Sequence, residues 1–398
     1  MLKPATAKTF HEYAHEIFMP YICAKFHDVL RVDLVWDRYI INSLKGSARA
    51  RRGKGVHRRV APTAAIPGNW QNFLRVDENK TEIFRFLSQT LLQGFDEEGK
   101  QLVITDGENI LSQPPLTDVE ALAPCNHEEA DTRMFLHASH ASKHGHRKVM
   151  IRTVDTDVVV LGVSVAQGIQ PEDELWLAFG VGNNLAYLAA HEIAASLGPQ
   201  KALALPVFHA LTGCDTVSSF AGHGKKTAWA MWDVFPELTG ALLKLSRAPD
   251  SIPPDVLHTI ERFVILWYDR TSTCTDINKA RKKMFVKKHK VLLIPPTKAA
   301  LEQHVKRAAY QGGHVWGQAQ LPAPQLPTPT RWGWSLSEDR VYEPYWSRLP
   351  HAADTCPELV SCKCKKACIK RCRCRKAALQ CTALCQCEGE CTQGRREE

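Results

Sequence analysis

Short apolar segments alternate with longer amphipathic ones along the first half of the chain. The segments at 31–37 (RVDLVWD), 148–154 and 174–179 predict strands, because they are short and mostly apolar. Those at 126–144, 191–197 and 206–211 predict helices, the first with Asn126 as N-cap and Gly145 just beyond its end. This alternation predicts an α/β fold in which helices cover a mostly parallel sheet.

Acidic residues lie where such a sheet places its ligands, beyond the carboxyl ends of the strands. Asp37 ends the first predicted strand, and Asp155 and Asp157 follow the second. Two carboxylates about 4 Å apart repel each other by about 4 kcal/mol at an effective dielectric of 20. A divalent cation removes that cost, and oxygen ligands select Mg²⁺ or Mn²⁺. Further acids open the helix at 126–144 or follow it along the chain: Glu128, Glu129, Asp131 and Asp215.

These acids also have a structural interpretation. Carboxylates in the first turn of a helix interact favourably with its dipole. Asn126 and Glu129 have the spacing of a capping box that begins with asparagine. The acids therefore predict either a cation site or a set of helix caps.

The order of the acids resembles that of flap-endonuclease and PIN-like nucleases. E-A-D at 129–131, D-x-D at 155–157 and G-C-D at 213–215 carry the resemblance, which covers roughly residues 30–230. It implies a nuclease that uses two Mg²⁺ or Mn²⁺ ions to hydrolyse a phosphodiester bond. The implied ligands are Glu129, Asp131, Asp155 and Asp157, then Asp215 and Asp37, with Glu128 as a substitute for Glu129.

The same resemblance assigns two segments to DNA. The turn that begins at Gly222 looks like the one that holds duplex phosphate on backbone N–H groups in that family. The basic run at 45–59 stands where the family places an arch over single strands, although an import signal is the alternative. No acid precedes Glu12, so we expect either a fold without its first strand or a sequence that begins late. The implied DNA contacts in the turn are Gly222, Gly224, Lys225 and Lys226.

Composition and charge narrow the class of protein. The chain has 398 residues, 44% of them hydrophobic, which suffices for a sizeable core. Its net charge of +9 is concentrated in basic runs at 45–59, 281–290 and 363–376. The N-terminus has no secretory pattern, and the most apolar stretch, 149–166, contains Arg152, Asp155 and Asp157. We therefore expect an intracellular protein without a membrane span, in which thiols stay reduced.

Cysteines dominate the end of the chain. Nine of the fourteen fall in a 30-residue segment with the spacing C-x-C-x3-C-x3-C-x-C-x6-C-x3-C-x-C-x3-C. A disulfide framework would need an oxidising compartment, and nine is an odd number. Nine thiolates can make the twelve bonds of about three tetrahedral Zn²⁺ ions if three of them bridge two ions. The predicted ligands are Cys362, Cys364, Cys368, Cys372, Cys374, Cys381, Cys385, Cys387 and Cys391.

The cysteine segment also carries positive charge. Basic residues between the cysteines exceed the negative charge of the thiolate cluster, which predicts phosphate as a partner. The spacing resembles the tesmin-type CXC domain, a DNA-binding module with nine cysteines and three zinc ions. Arg371 stands where that family usually carries a tyrosine. The implied DNA contacts are Lys363, Lys365, Lys366, Arg371, Arg373 and Arg375.

Between these two regions the chain is rich in proline and tryptophan. Prolines at 322–329 favour an extended segment, and its tryptophans predict packing on the preceding domain or stacking on bases. We therefore expect a nuclease-like domain at 1–312, a linker at 313–355 and a zinc module at 356–392. This organisation predicts a nuclear DNA-associated protein of mobile-element or repair type, with no small-molecule cofactor. A non-catalytic chromatin scaffold is the alternative.

Overall fold

The computed structural model of this chain describes residues 1–40, 42–50, 55–288 and 293–347, together with 362, 364, 372–376, 381, 385 and 386. The chain divides into two compact units. The first comprises Met1–Pro206, His314–Pro327 and Ser335–Glu343, and the second comprises Val207–Gly313, Thr328–Trp334 and Pro344–Glu398. The segment expected to form one domain, 1–312, thus contributes to both units.

The first unit contains most of the strands. Its strands are β1 (Arg31–Leu34), β2 (Gln101–Asp106), β3 (Asn109–Gln113), β4 (Lys148–Thr153), β5 (Glu174–Phe179) and β6 (Ala186–Ala189). Its helices are α1 (Phe10–Glu12), α2 (Met19–Cys23), α3 (Leu44–Ala50), α4 (Trp70–Phe73), α5 (Asp77–Gly94), α6 (Ala130–Lys143), α7 (Thr156–Val165) and α8 (Ala190–Leu197). A longer helix, α9 (Pro199–Thr212), runs from this unit into the second.

The second unit is mainly helical in the residues that the structure describes. Its helices are α10 (Lys225–Val234), α11 (Glu237–Ser246), α12 (Pro254–Tyr268), α13 (Ile277–Lys288), α14 (Lys298–Ala309) and α15 (Arg373–Lys376). Two short strands, β7 (Trp334–Leu336) and β8 (Tyr342–Pro344), form a separate two-stranded sheet. The α/β class expected from the sequence is therefore present.

The strands form mixed sheets rather than one mostly parallel sheet. In the described residues, β1 pairs with β2 in parallel and β2 with β3 antiparallel. The second sheet repeats this order, because β4 pairs with β5 in parallel and β5 with β6 antiparallel. The antiparallel partners arise from short connections, such as the turn at Gly107 between β2 and β3, where φ is +60°. Each sheet thus has one parallel pair whose carboxyl ends can carry a site.

Strand β2 is buried on both faces. Leu102 and Ile104 belong to the main core cluster, which also contains Ile83 and Leu87 of α5. Val103, which points the other way along a strand, belongs to a second cluster with Leu136 of α6. The strand is therefore held between α5 and α6, which cover opposite faces of the first sheet.

A buried charge network joins β1 to α6. Arg31 donates to both carboxylate oxygens of Asp33, at 2.6 and 2.8 Å, and His137 Nδ1 lies 2.7 Å from Asp33 Oδ2. Burial alone would raise the pKa of Asp33, but the hydrogen bonds from His137 and Arg31 lower it overall. Removing one partner of such a buried group costs about 3–5 kcal/mol, so the network fixes α6 against the strand.

Helix α6 begins later than the sequence predicts. Asn126 was expected to cap it, but Asn126 instead donates to the carbonyls of Pro322 and Pro324, and His127 Nε2 lies 2.6 Å from the Leu321 carbonyl. These contacts hold residues 126–129 out of the helix, so that Glu129, with φ −101° and ψ 139°, is the N-cap. The predicted N-cap and capping box are therefore wrong.

The tryptophans after residue 312 follow the packing interpretation in most cases. Trp316, Trp332 and Trp334 are buried, whereas Trp346 is 73% exposed. Packing thus accounts for the first three indoles and does not extend to Trp346.

Candidate metal centres

Two backbone hydrogen bonds bring the first acidic segments together. The Ala130 N–H donates to Asp37 Oδ1 at 3.0 Å, and the Arg38 N–H donates to the Glu128 carbonyl at 2.8 Å. The loop after β1 is thereby fixed to the start of α6. Asp37 therefore lies near Glu129 and Asp131, although about ninety positions separate it from them in sequence.

The third acidic segment belongs to the start of α7. Asp155 is the N-cap of this helix and accepts a hydrogen bond from the Asp157 N–H at 2.8 Å. Asp157 lies in the first turn and is 7% exposed. The helix starts of α6 and α7 thus both carry carboxylates, where partial positive charge favours them. Asp155 caps its helix, as the structural interpretation of the acids expects.

The acids influence one another electrostatically. Burial, followed by the charges of Glu128 and Asp37, raises the pKa of Glu129 to about 7 despite the opposing effect of Lys45. Burial, followed by the charges of Glu129, Asp155 and Asp37, raises the pKa of Asp131 to about 8. Both values result from half-buried carboxyl groups that share one region of low dielectric. We call Asp37, Glu129, Asp131 and Asp155 the acidic cluster.

Helix α3 supplies cations to this cluster, which the sequence did not predict. Lys45 Nζ lies 2.8 Å from Glu129 Oε2, and Arg49 contacts both Glu128, at 3.0 Å, and Asp77, at 2.8 Å. Ser43 Oγ also donates to Glu128 Oε1 at 2.5 Å. The basic run at 45–59 had suggested only contact with nucleic acid or an import signal. Its first residues instead neutralise part of the acidic cluster.

Glu128 therefore has a different environment from Glu129. Its carboxylate accepts from Ser43 and Arg49, whereas Glu129 faces Lys45 and the other acids. Glu128 is thus a structural partner of α3, and Glu129 remains the candidate ligand.

Asp215 belongs to the second unit, whereas the acidic cluster belongs to the first. It is exposed in a tight turn closed by two backbone bonds between Cys214 and Val217, at 2.9 and 3.2 Å. Gly213 precedes it with φ +115°, and a Cβ there would lie 2.9 Å from Ser219 Cβ. The turn thus requires glycine at 213, so backbone geometry alone explains the glycine of the G-C-D motif.

The predicted phosphate-binding turn is exposed at the start of α10. Gly222 has φ +73°, and Gly224 is the N-cap of the helix. Lys225 Nζ donates to the carbonyls of His209, at 2.8 Å, and Gly213, and so holds the end of α9. Lys226 is exposed. The backbone of this turn therefore faces solvent, whereas the Lys225 ammonium has internal partners.

The described cysteines form two groups of potential ligands. The Sγ atoms of Cys362, Cys374, Cys381 and Cys385 lie within 4.8 Å of one another. The same holds for Cys362, Cys364 and Cys372, so that Cys362 belongs to both groups. A cluster of this kind could bind zinc.

The sulfur–sulfur distances fit metal ligation. Cys362 and Cys381 are 3.7 Å apart at Sγ, and Cys374 and Cys385 are 3.5 Å apart. A tetrahedral ion with bonds of about 2.3 Å separates its sulfur ligands by about 3.8 Å, whereas a disulfide measures about 2.05 Å. Burial raises the pKa of the Cys374 thiol to about 11, so a thiolate there needs a cation beside it.

Several predicted tail residues lie outside the described residues. These are Cys368, Cys387, Cys391, Lys363, Lys365, Lys366 and Arg371, and the side chain of Arg375. Arg373 begins α15 and is exposed directly beside the buried Cys372 and Cys374. Among the predicted DNA contacts of the tail, Arg373 is the one whose side chain the structure describes, and it places a positive charge beside the thiol groups.

A third group of potential ligands was not expected from the sequence. Asp118, His140 and His144 have ligand atoms within 4.8 Å of one another. The two histidines are spaced i, i+4 at the end of α6, a signal that the sequence did contain. Asp118 lies 22 positions before His140, in a loop that no local pattern connects to the helix.

Comparisons with known proteins assign this chain to no family. No protein-family model, curated protein or solved structure matches this chain. Among the described helices, none is long and apolar enough to cross a membrane.

Proposed function

We propose that this chain is a nuclear, DNA-associated phosphodiesterase that uses Mg²⁺ or Mn²⁺ and is anchored to DNA by a zinc-binding tail. The observation that carries the proposal is the acidic cluster, in which Asp37 from the loop after β1 and three carboxylates at the starts of α6 and α7 influence one another electrostatically. Such a group is costly unless a cation enters it. Two divalent ions held there would activate water and stabilise the leaving oxygen of a phosphodiester.

The order of acids along the chain supports a flap-nuclease or PIN-like arrangement. Asp37 follows β1 and Asp155 follows β4. Each of these two strands is the first member of the parallel pair in its sheet. Asp131 and Asp157 occupy the first turns of α6 and α7. Asp215, which belongs to the second unit, is the remaining acid that the resemblance implies as a ligand.

The tail is proposed to hold three zinc ions and to bind DNA phosphate. Cys362 is shared by the two thiol groups, as expected for a sulfur that bridges two ions. Each bound phosphate would release condensed counterions, so DNA affinity should fall steeply as salt rises.

The nuclease proposal is tested with the full chain, Mn²⁺ and single-stranded, duplex and branched DNA. Asp155→Asn keeps a good N-cap but removes a charge, so we expect the protein to fold and cleavage to fall by roughly a hundredfold or more. The matched control is Asp276→Asn, because Asp276 also accepts from a backbone N–H, that of Lys279 at 2.8 Å, at the start of α13. That variant should cleave like the wild type.

A non-catalytic DNA-binding scaffold, for example of mobile-element origin, is the second candidate. Lys45 favours it, because it neutralises Glu129, an acid that a catalytic cation would otherwise use. In addition, the described groups whose ligand atoms converge within 4.8 Å do not include the acidic cluster. Wild-type protein that binds DNA but cleaves none of the substrates with either ion supports the scaffold and rejects the nuclease.

A further inference from the structure

The end of α6 opposite to the acidic cluster holds a separate group of ligands. His140 lies nine residues after Asp131, which places it about 14 Å farther along the helix axis. His144 is the C-cap of α6, and Asp118 lies in the loop between β3 and α6. This group is therefore a site of its own.

The three side chains converge on a small volume. Asp118 Oδ1 lies 2.9 Å from His140 Nε2, and Asp118 Oδ2 lies 3.3 Å from His144 Nε2. The two imidazole rings stack with centroids 4.2 Å apart and an interplanar angle of 17°. Each residue therefore presents one nitrogen or oxygen to the same space.

The orientation of His144 points to a cation. Its Nδ1 lies 2.8 Å from the His140 carbonyl and donates to it, so in the neutral ring Nε2 carries a lone pair. That nitrogen faces a carboxylate oxygen at 3.3 Å, an arrangement that either a proton on Nε2 or a metal ion between the two atoms stabilises. A backbone carbonyl on the far nitrogen is also the usual support of a metal-binding histidine.

We propose that Asp118, His140 and His144 bind one divalent transition-metal ion of the zinc class, with water completing its coordination. Two imidazole nitrogens and one carboxylate oxygen form a donor set that suits Zn²⁺ and Co²⁺ better than Mg²⁺. The side chains of His144 and Asp118 are 41% and 42% exposed, so an ion can enter from solvent and keep water ligands. This site is independent of the thiol tail and of the acidic cluster.

Arg31 sets the strength of binding. Its NH1 group donates to His140 Nδ1 at 2.9 Å, which keeps the proton of the neutral ring on Nε2. A metal-bound His140 carries its proton on Nδ1, so this contact must break when the ion binds. Arg31 keeps its two bonds to Asp33. The site should therefore bind more weakly than the thiolates and should exchange its ion readily.

The test uses the full chain with its thiol tail already loaded with zinc and its acidic cluster filled by excess Mg²⁺, followed by titration with Co²⁺. One further equivalent of cobalt should bind and give ligand-field absorption of a nitrogen and oxygen site, without new thiolate-to-cobalt charge transfer. In Asp118→Asn and in His144→Gln, this affinity should fall by roughly tenfold or more. Both substitutions are at half-exposed positions, and far-ultraviolet circular dichroism should match the wild type.

The matched control is His57→Gln. His57 Nε2 lies 2.8 Å from Glu82 Oε1, which makes it a histidine–carboxylate pair in the same unit. It should bind cobalt like the wild type. Equal cobalt affinity in Asp118→Asn and wild type, or no additional cobalt in the zinc-loaded wild type, would overturn the proposal. Loss of binding in His57→Gln equal to that in His144→Gln would overturn it as well.

Discussion

Asp131 is mostly buried and lies near other carboxylates, so ionising it in the folded protein costs free energy. Its pKa rises from an ordinary value of 3.8 to about 8. A carboxyl group whose pKa is raised by folding is neutral in both states at low pH and therefore has no effect there. As the pH rises from about 4 to about 8, the unfolded chain ionises first, so the folded state loses stability.

Asp131→Asn should therefore be more stable than the wild type above about pH 7, by about 1–3 kcal/mol, and nearly equal to it at pH 4. Thermal unfolding at both pH values without divalent ions measures the difference. Asp28→Asn, at a side chain that is 86% exposed, should show no such pH dependence. A constant difference between Asp131→Asn and wild type across this range would contradict the expected cost of the charge.

Single residues also show how far the sequence could be interpreted. The acids could be selected because carboxylates at strand ends and helix starts have a recognisable pattern. Their partners could not, because Lys45 reaches Glu129 across 84 positions and only the folded loops decide that contact. Asp118 was missed for the same reason, since nothing near it in sequence connects it to His140.

Elements were predicted best where local signals were sufficient. The strand at 174–179 coincides with β5, and β1 and β4 begin where the sequence places them. The start of α6 failed because residues 321–324 bond to Asn126 and His127, a tertiary contact that outweighs a capping signal. The antiparallel partners β3 and β6 likewise carry little signal, because they are short and partly exposed.

Two glycines in helical segments of the second unit should respond oppositely to alanine. A Cβ at Gly240, in α11, meets nothing within 4 Å, whereas one at Gly312 would lie 2.7 Å from Val207 Cα. Gly240→Ala should therefore stabilise the protein by about 0.5–1 kcal/mol, through the lower entropy of the unfolded chain. Gly312→Ala should destabilise it by about 1–3 kcal/mol, because backbone must move. Chemical denaturation of both variants measures the two changes, and equal signs would contradict this account.

For the whole molecule, we expect bound zinc to stabilise the tail and not the rest of the chain. All ten tryptophans lie at or before position 346, outside the cysteine segment. Zinc ligation contributes roughly 10–16 kcal/mol in small zinc peptides, and the tail has few apolar residues to replace it.

Chelation of zinc should therefore leave tryptophan emission unchanged while DNA affinity falls by roughly tenfold or more. Filter binding and fluorescence on the same samples measure both, and added zinc should restore the affinity. A red shift of the emission on chelation would show that zinc also supports the core, contrary to this expectation.

The position of Cys362 in both thiol groups has a consequence for how the tail fails. A sulfur that serves two ions cannot be oxidised without weakening both of their coordination spheres at once. Damage to Cys364 would remove a ligand from one group, whereas damage to Cys362 removes one from each. With the proposed three zinc ions, oxidation of Cys362 is therefore expected to release metal from the tail abruptly rather than gradually.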